Sequence, residues 1–182
     1  MAGHWKLSRA EQRTWARSNR VVALRVPPNR VLTPRALALA DALAGGDRRR
    51  VEAASQALLD AACALFRVPP LRVDVRGVRP TDRSGELHGL YTPTNGRAGH
   101  DRVQIWMHTA RRRQVVAFKT FLRTLLHELC HHLDYERLKL EHSLHTEGFY
   151  KRESSLMHAV LPRALDLPAR RPPLSSSPSS PI

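Results

Sequence analysis

Residues 114–138 carry one continuous helical pattern, and a motif typical of metal binding lies inside it. Apolar residues recur every three or four positions over about four turns, which predicts a long amphipathic helix. They are Phe118, Phe121, Leu122, Leu125, Leu129 and Leu133. Within this helix stands the string His127-Glu128-Leu129-Cys130-His131. The fold must therefore bury the apolar stripe and still hold two histidines on a neighbouring face.

The spacing of the two histidines indicates a zinc site. Side chains four residues apart on a helix project from the same face one turn apart, so His127 and His131 can bind one tetrahedral zinc. Glu128 lies beside the metal without binding it, where it can take a proton from a zinc-activated water and pass it to a leaving amine. The motif predicts an enzyme that hydrolyses peptide bonds with the help of zinc, with Glu128 as the catalytic base. The competing interpretation is a surface helix with incidental histidines.

The other residues of the motif are predicted to serve packing. Leu129 and Cys130 are interpreted as packing residues, since a lone cysteine usually behaves as a small, inert apolar side chain. His132 lies about 100° around the helix from His131. We expect it outside the ligand set, either behind the ligands or at the surface.

A catalytic zinc needs a third protein ligand, and two known patterns would supply it from residues after His131. The metzincin pattern requires a glycine at position 134 and a histidine at position 137, where this chain has Asp134 and Arg137. That pattern is excluded. A thermolysin-like site would take a glutamate from a following helix, for which Glu147 and Glu153 are available.

His145 is the favoured third ligand. It lies 14 residues beyond His131 (145 − 131), so residues 134–144 can end the metal helix and return the chain to the site. Phe149, one turn later, would anchor that return in the core. His142 is the second choice.

The pairing of the 127–131 motif with His145-x-x-x-Phe149 resembles the SprT-like (Spartan-type) zinc metallopeptidase domain. The order of helices, small sheet, metal helix and ligand-bearing helix is similar too, over roughly residues 47–161. The resemblance implies a zincin-like fold, zinc held by His127, His131 and His145, and Glu128 as general base. Some members of the family cleave proteins crosslinked to DNA. Members often carry a four-cysteine zinc ribbon, which the two cysteines of this sequence cannot form.

The remaining sequence predicts an α+β arrangement around the metal helix. Predicted helices run from Ser8 to about Arg17, from Thr33-Pro34 to Gly45-Gly46, from Asp47 to about Phe66, and from Thr146 to Leu161. Predicted strands lie at 71–76, 87–91 and 103–107, the last two pairing as a hairpin. The domain organisation predicted is a basic N-terminal segment at 1–30, a zincin-like domain at 31–165 and a disordered Pro/Ser-rich tail at 166–182.

Two further roles in the site are predicted without a unique assignment. In zincins the substrate lies antiparallel to an edge strand beside the metal helix, and 103–107 is predicted to be that strand. An oxyanion-stabilising group is also expected. Tyr91, Tyr135, Tyr150 and the arginines are equal candidates.

The charge of the sequence suggests a second class of partner. The formal net charge is +14, with basic clusters at 48–50 and 111–113, as expected of a protein that binds DNA or another polyanion. An arginine excess can also reflect base composition alone. Two alternatives to a peptidase therefore stay open: a basic nucleic-acid-binding protein with a structural or vestigial zinc site, and an interaction protein with a metallopeptidase shape but no turnover.

Composition also bears on compartment. No run approaches the roughly 18 apolar residues of a membrane span, and the N-terminal residues lack the pattern of a secretory signal. Cys63 and Cys130 are too few for a disulfide framework. The expectation is a cytoplasmic protein that acts on a protein or peptide substrate.

Overall fold

The computed structural model describes residues 7–26, 31–82, 85–94 and 99–161. Within these ranges the chain is α+β, with five helices, a mixed three-stranded sheet and a separate two-stranded one. The helices are α1 Arg9–Arg20, α2 Leu32–Ala44, α3 Arg48–Phe66, α4 Phe118–Glu136 and α5 Glu147–Val160. The strands are β1 Leu71–Val78, β2 Thr81–Asp82, β3 Gly85–Glu86, β4 Gly89–Thr92 and β5 Asp101–His108. The tail predicted at 166–182 lies outside the described residues.

Side-chain caps set where α1 and α3 begin. Ser8 accepts a hydrogen bond from the N–H of Glu11, whose carboxylate accepts from the N–H of Ser8. Asp47 accepts from the N–H of Arg50. Both starts are confirmed as predicted, because a cap depends only on residues within one turn.

Two predicted helix starts differ from the structure. α2 begins at Leu32, so Thr33 and Pro34, with which the helix was predicted to open, are its second and third residues. Proline is tolerated there because the first-turn N–H groups have no acceptor within the helix. α4 begins at Phe118 rather than near Gln114, because Thr109 and Gln114 close a turn and Val115 bridges back to β5.

The three-stranded sheet has the order β1-β5-β4. β5 pairs with β1 in parallel, through Val73 and Val103, and with β4 antiparallel, through Tyr91 and Val103. The predicted hairpin is therefore confirmed. The prediction that 103–107 forms an edge strand is wrong, because β1 occupies the other side of β5. Strand order depends on long-range pairing, which the alternation of residues within a strand does not reveal.

The outer edge of β1 is closed by side chains of α3. Gln56 donates to the carbonyl of Leu71 at 2.9 Å and accepts from the N–H of Val73 at 3.0 Å. Glu52 accepts from the N–H of Val75 at 2.9 Å. β4 therefore forms the opposite edge of the sheet, on the side where the sheet packs against α4.

The core forms where the α4 stripe meets the sheet and the other helices. Phe121, Leu122, Leu125, Leu129 and Leu133 are buried, as are the inward residues of β5. Burial at three-to-four spacing confirms the predicted amphipathic face of α4. Within the described residues, no helix is both long and apolar enough to cross a membrane.

Helix α1 packs directly on α5. The side chain of Asn19 accepts from the N–H of Gly148 at 2.8 Å. A Cβ built on Gly148 would lie 2.3 Å from the carbonyl oxygen of Ser18, so only glycine permits this approach. Helix α1, which is part of the basic N-terminal segment predicted at 1–30, therefore packs against α5, the helix that follows His145.

Candidate metal centre

Helix α4 and the segment before α5 bring three histidines to one point. Nε2 of His145 lies 3.0 Å from Nε2 of His127 and 3.1 Å from Nε2 of His131. These three residues are the group in the described part of the chain whose donor atoms could hold a metal ion. The three predicted ligands are thus brought together. His142 is exposed, does not belong to the cluster and lies near Glu11 of α1.

The outward nitrogen of His127 is bound by a buried glutamate. Nδ1 of His127 lies 2.9 Å from Oε2 of Glu153, and Oε1 of Glu153 accepts from Arg123 at 2.8 Å. Burial alone would raise the pKa of Glu153, but the hydrogen bonds from His127 and Arg123 outweigh it and lower that pKa. Glu153, an alternative third ligand in the sequence, therefore contacts the ring nitrogen away from the cluster. Because Nδ1–H donates to this carboxylate, Nε2 is the nitrogen of the neutral His127 ring that carries no proton.

The outward nitrogen of His131 is bound by a serine. Nδ1 lies 2.7 Å from Oγ of Ser143, and that hydroxyl donates to Oδ2 of Asp134 at 2.9 Å. The serine oxygen must therefore accept from Nδ1–H, which again leaves Nε2 bare. Burial, with the charges of His127 and His145, lowers the pKa of His131 to about 3, so the ring is neutral near pH 7.

The three nitrogens together fit a zinc ion. Two bare Nε2 atoms face the third, and a proton on His145 can serve only one of them. A cation at the centre satisfies all three. Nitrogens about 2.0–2.1 Å from a tetrahedral zinc lie roughly 3.4 Å apart, close to the spacings seen here. Burial also lowers the pKa of His145, which keeps the third ring neutral.

Glu128 lies under strand β4 beside the cluster. Its side chain is buried, and a Cβ on Gly89 would lie 2.5 Å from its Oε1 and 2.8 Å from Cγ2 of Thr124. The missing side chain of Gly89 is what leaves room for the carboxylate. Burial raises the pKa of Glu128 to about 7, opposed by the charge of His127 and the N–H of Tyr91.

A groove passes the cluster on both sides of Glu128. One half has a volume of about 510 Å³ and the other about 340 Å³, and both are lined by Gly89, His127 and Glu128. The larger half is also lined by Arg123 and Tyr150, among others. Strand β4 thus forms a wall of the whole groove.

The three candidate tyrosines have different environments. The hydroxyl of Tyr91 donates to Asp101, and burial together with that carboxylate raises the pKa of Tyr91. The hydroxyl of Tyr135 accepts from the N–H of Ser143 at 3.3 Å. Tyr150 is 50% exposed, stacks on His145 and lines the larger half of the groove. Its hydroxyl makes no hydrogen bond within the described residues, whereas that of Tyr135, which lines the smaller half, still has its own proton to donate.

His132 is buried rather than on the surface. Its Nδ1 lies 3.1 Å from Asp101, and its Nε2 lies 2.9 Å from the carbonyl oxygen of Pro69. The turn of about 100° from His131 directs it toward the sheet instead of the groove. It ties α4 to the start of β5 and stays out of the ligand cluster.

The residues that form hydrogen bonds to the outward nitrogens of His127 and His131 were not predicted from the sequence. Ser143, Asp134 and Arg152 were given no role, and Glu153 was considered only as a ligand. Two signals were present. Asp134 lies three residues after His131 on the same helical face, and Glu153 lies four residues after Phe149, whose ring contacts His127.

Both predicted basic clusters are exposed. Arg111, Arg112 and Arg113 form the turn between β5 and α4, in which Arg113 has a φ of 51°. Residues 48–50 form the first turn of α3. Four residues separate the cluster at 111–113 from α4, the helix that carries two of the site histidines.

Comparison of the chain with protein-family models, with curated proteins and with solved structures gave no match.

Proposed function

We propose that this chain is a zinc-dependent metallopeptidase with a zincin-like, SprT-like domain. The observation that carries the proposal is the convergence of three histidine Nε2 atoms beside a buried carboxylate in an open groove. His127, His131 and His145 are the zinc ligands, and Glu128 is the base. Three histidine ligands that leave the fourth coordination position open are typical of a catalytic rather than a structural zinc.

A zinc ion bound there would supply the Lewis acidity that makes a water acidic near neutral pH and polarises a carbonyl. The residues of the chain supply the rest. Glu128 takes the proton of the attacking water and delivers it to the leaving amine. The Tyr150 hydroxyl, at the rim of the groove, donates to the developing oxyanion.

A peptide substrate would lie along the outer edge of β4. This edge is the one that α3 does not close, and it borders the groove on both sides of Glu128. An extended peptide can add to such an edge through backbone hydrogen bonds. Residues 89–92, rather than 103–107, are therefore proposed as the edge strand that pairs with the substrate.

DNA is proposed as a second partner, with DNA-associated proteins as substrates. The supporting observation is the exposed cluster at 111–113, in the connection between β5 and α4. A basic protein with a purely structural zinc site is the second candidate function. Structural zinc is usually closed by four protein ligands, whereas three donor residues meet here within the described residues. The buried Glu128, which is no ligand, also favours catalysis.

The test compares wild-type protein with Glu128→Gln. The wild type should hold about one zinc by elemental analysis and cleave an unstructured protein such as casein. Glu128→Gln should keep the zinc and lose at least about 100-fold in activity, because it removes the base and no ligand. Glu136→Gln is the matched control, since Glu136 lies on the same helix and pairs with Lys139. Activity near wild type in Glu128→Gln would refute the mechanism.

A further inference from the structure

A chain of hydrogen bonds leads from His131 away from the groove. Nδ1 of His131 contacts Oγ of Ser143 at 2.7 Å, and Ser143 donates to Asp134 at 2.9 Å. Nη2 of Arg152 lies 2.8 and 3.0 Å from the two carboxylate oxygens of Asp134. The chain thus passes from α4 to the segment before α5, back to α4, and then to α5.

Helix α1 fixes the far end of this chain. Nη1 of Arg152 donates to the carbonyl oxygens of Ser18 and Val21, both at 2.7 Å, and Nη2 donates to Oγ of Ser18 at 3.0 Å. Ser18 also shares a hydrogen bond of 2.8 Å with Thr146, the N-cap of α5. Asp134, Arg152 and Ser18 are all 0% exposed, so bulk water does not compete for these bonds.

The direction of each bond follows from the chemistry of the groups. A guanidinium only donates, and the ionised carboxylate that it pairs with only accepts. The single proton of Ser143 is therefore directed to Asp134, and its oxygen accepts from His131. The hydrogen bond at one ring nitrogen of a histidine decides which nitrogen carries the proton.

We propose that Ser143 is a positioning residue that keeps the proton of His131 on Nδ1 and so keeps Nε2 open to a metal ion. The Asp134–Arg152 pair, anchored on α1, orients the Ser143 hydroxyl for this purpose. The inference rests on the proposed metal site but not on peptidase activity. It also assigns α1 to the support of the metal centre, although α1 contributes no atom to the ligand cluster.

The first test is zinc affinity, measured by competition with a chromophoric chelator. Ser143→Ala should weaken zinc binding by about 10–100-fold, the usual effect of removing a partner behind a histidine ligand. Ser143→Thr keeps the hydroxyl and should stay within about threefold of wild type. Ser154→Ala, on α5 and away from the cluster, is the matched control and should change nothing. The melting temperatures of the zinc-free proteins show whether any variant is merely unfolded.

The second test reads the position of the proton directly. Long-range ¹H–¹⁵N correlation spectra of zinc-free protein at pH 7.5 should show His131 protonated on Nδ1 in the wild type and in Ser143→Thr. Ser143→Ala should move much of that proton to Nε2. A purely structural role for Ser143 would not change the tautomer.

The outcomes separate this inference from the proposed function. Wild-type protein that binds no zinc would remove the metal site, yet the tautomer experiment would still test the role of Ser143. Unchanged zinc affinity and tautomer in a folded Ser143→Ala would overturn the inference and leave the three-histidine site intact. Asp134→Asn is a less useful variant, because it leaves the Arg152 charge buried without its partner and endangers the fold.

Discussion

Glu153 accepts a hydrogen bond from Nδ1 of His127 at 2.9 Å, on the ring nitrogen that faces away from the histidine cluster. Its second oxygen is held by Arg123 at 2.8 Å, so the carboxylate cannot rotate freely. A carboxylate in this position fixes the ring orientation and makes the other nitrogen a better donor to a metal. One glutamate of α5 thereby orients a histidine of α4.

Glu153→Ala is expected to weaken zinc binding by about 10–100-fold without abolishing it, because His127 loses its orientation but remains a ligand. Chelator competition measures the change. Glu147→Ala is the matched control on the same helix, since Glu147 is exposed and pairs with Lys151. Complete loss of zinc in Glu153→Ala would instead make Glu153 a direct ligand.

Two histidines three residues apart should behave differently. His145→Ala should lose most of the bound zinc, because it removes one of three converging donors. His142→Ala should retain about one zinc per chain, since His142 is exposed and outside the cluster. Elemental analysis of both variants decides the matter. If zinc were retained in His145→Ala and lost in His142→Ala, His142 would be the third ligand and His145 would not.

Gly89→Ala should reduce peptidase activity by about 100-fold while zinc content stays unchanged. The added Cβ would meet Oε1 of Glu128 at 2.5 Å, so the base must move, and small displacements of a catalytic group carry penalties of this size. Gly77→Ala is a suitable control, because a Cβ there meets nothing within 4 Å. Steady-state kinetics should show the loss in kcat more than in KM. Activity unaffected by Gly89→Ala would mean that Glu128 adapts at no cost.

The accuracy of the sequence predictions depended on how local each signal was. Ser8 and Asp47 were identified as caps because the backbone N–H groups that donate to them lie within one turn. The meeting of His127, His131 and His145 followed from helical spacing and one return of the chain. The central position of β5 was missed because it depends on pairing with β1, about 30 residues earlier. Ser143 was missed because it lies in the irregular segment between α4 and α5, and its contacts with His131 and Asp134 of α4 depend on how that segment folds back.

Both thiols should be unreactive in the folded protein. Burial raises the pKa of Cys63 to about 11 and also raises that of Cys130, so neither forms the nucleophilic thiolate near pH 8. A chromogenic disulfide reagent should detect both cysteines only after unfolding in guanidinium. The unfolded chain releases the Cys63 proton near pH 9.0 and the folded chain retains it to about 11. The free energy of unfolding should therefore fall as pH rises across that interval. Rapid reaction of either thiol in native buffer would contradict this account.

Replacement of Arg111, Arg112 and Arg113 by alanine should weaken binding to single-stranded DNA and flatten its salt dependence. Each lost phosphate contact reduces the log–log slope by about 0.7 on single strands, because fewer counterions are released. Fluorescence anisotropy with a labelled oligonucleotide, from low to moderate salt, measures both quantities. Zinc content should not change. Absence of binding by the wild type even at low salt would mean that the arginine excess is compositional.

The closure of the outer edge of β1 by α3 is expected to affect the aggregation of this protein at high concentration. Exposed edge strands let sheets of different molecules join and aggregate. Gln56 and Glu52 already occupy backbone groups of β1 that an incoming strand would need. β4 spans only Gly89–Thr92 and lies in the groove beside Glu128. Self-association through the sheet is therefore expected to be disfavoured on the side away from the groove, and the edge left for strand addition is the one beside Glu128.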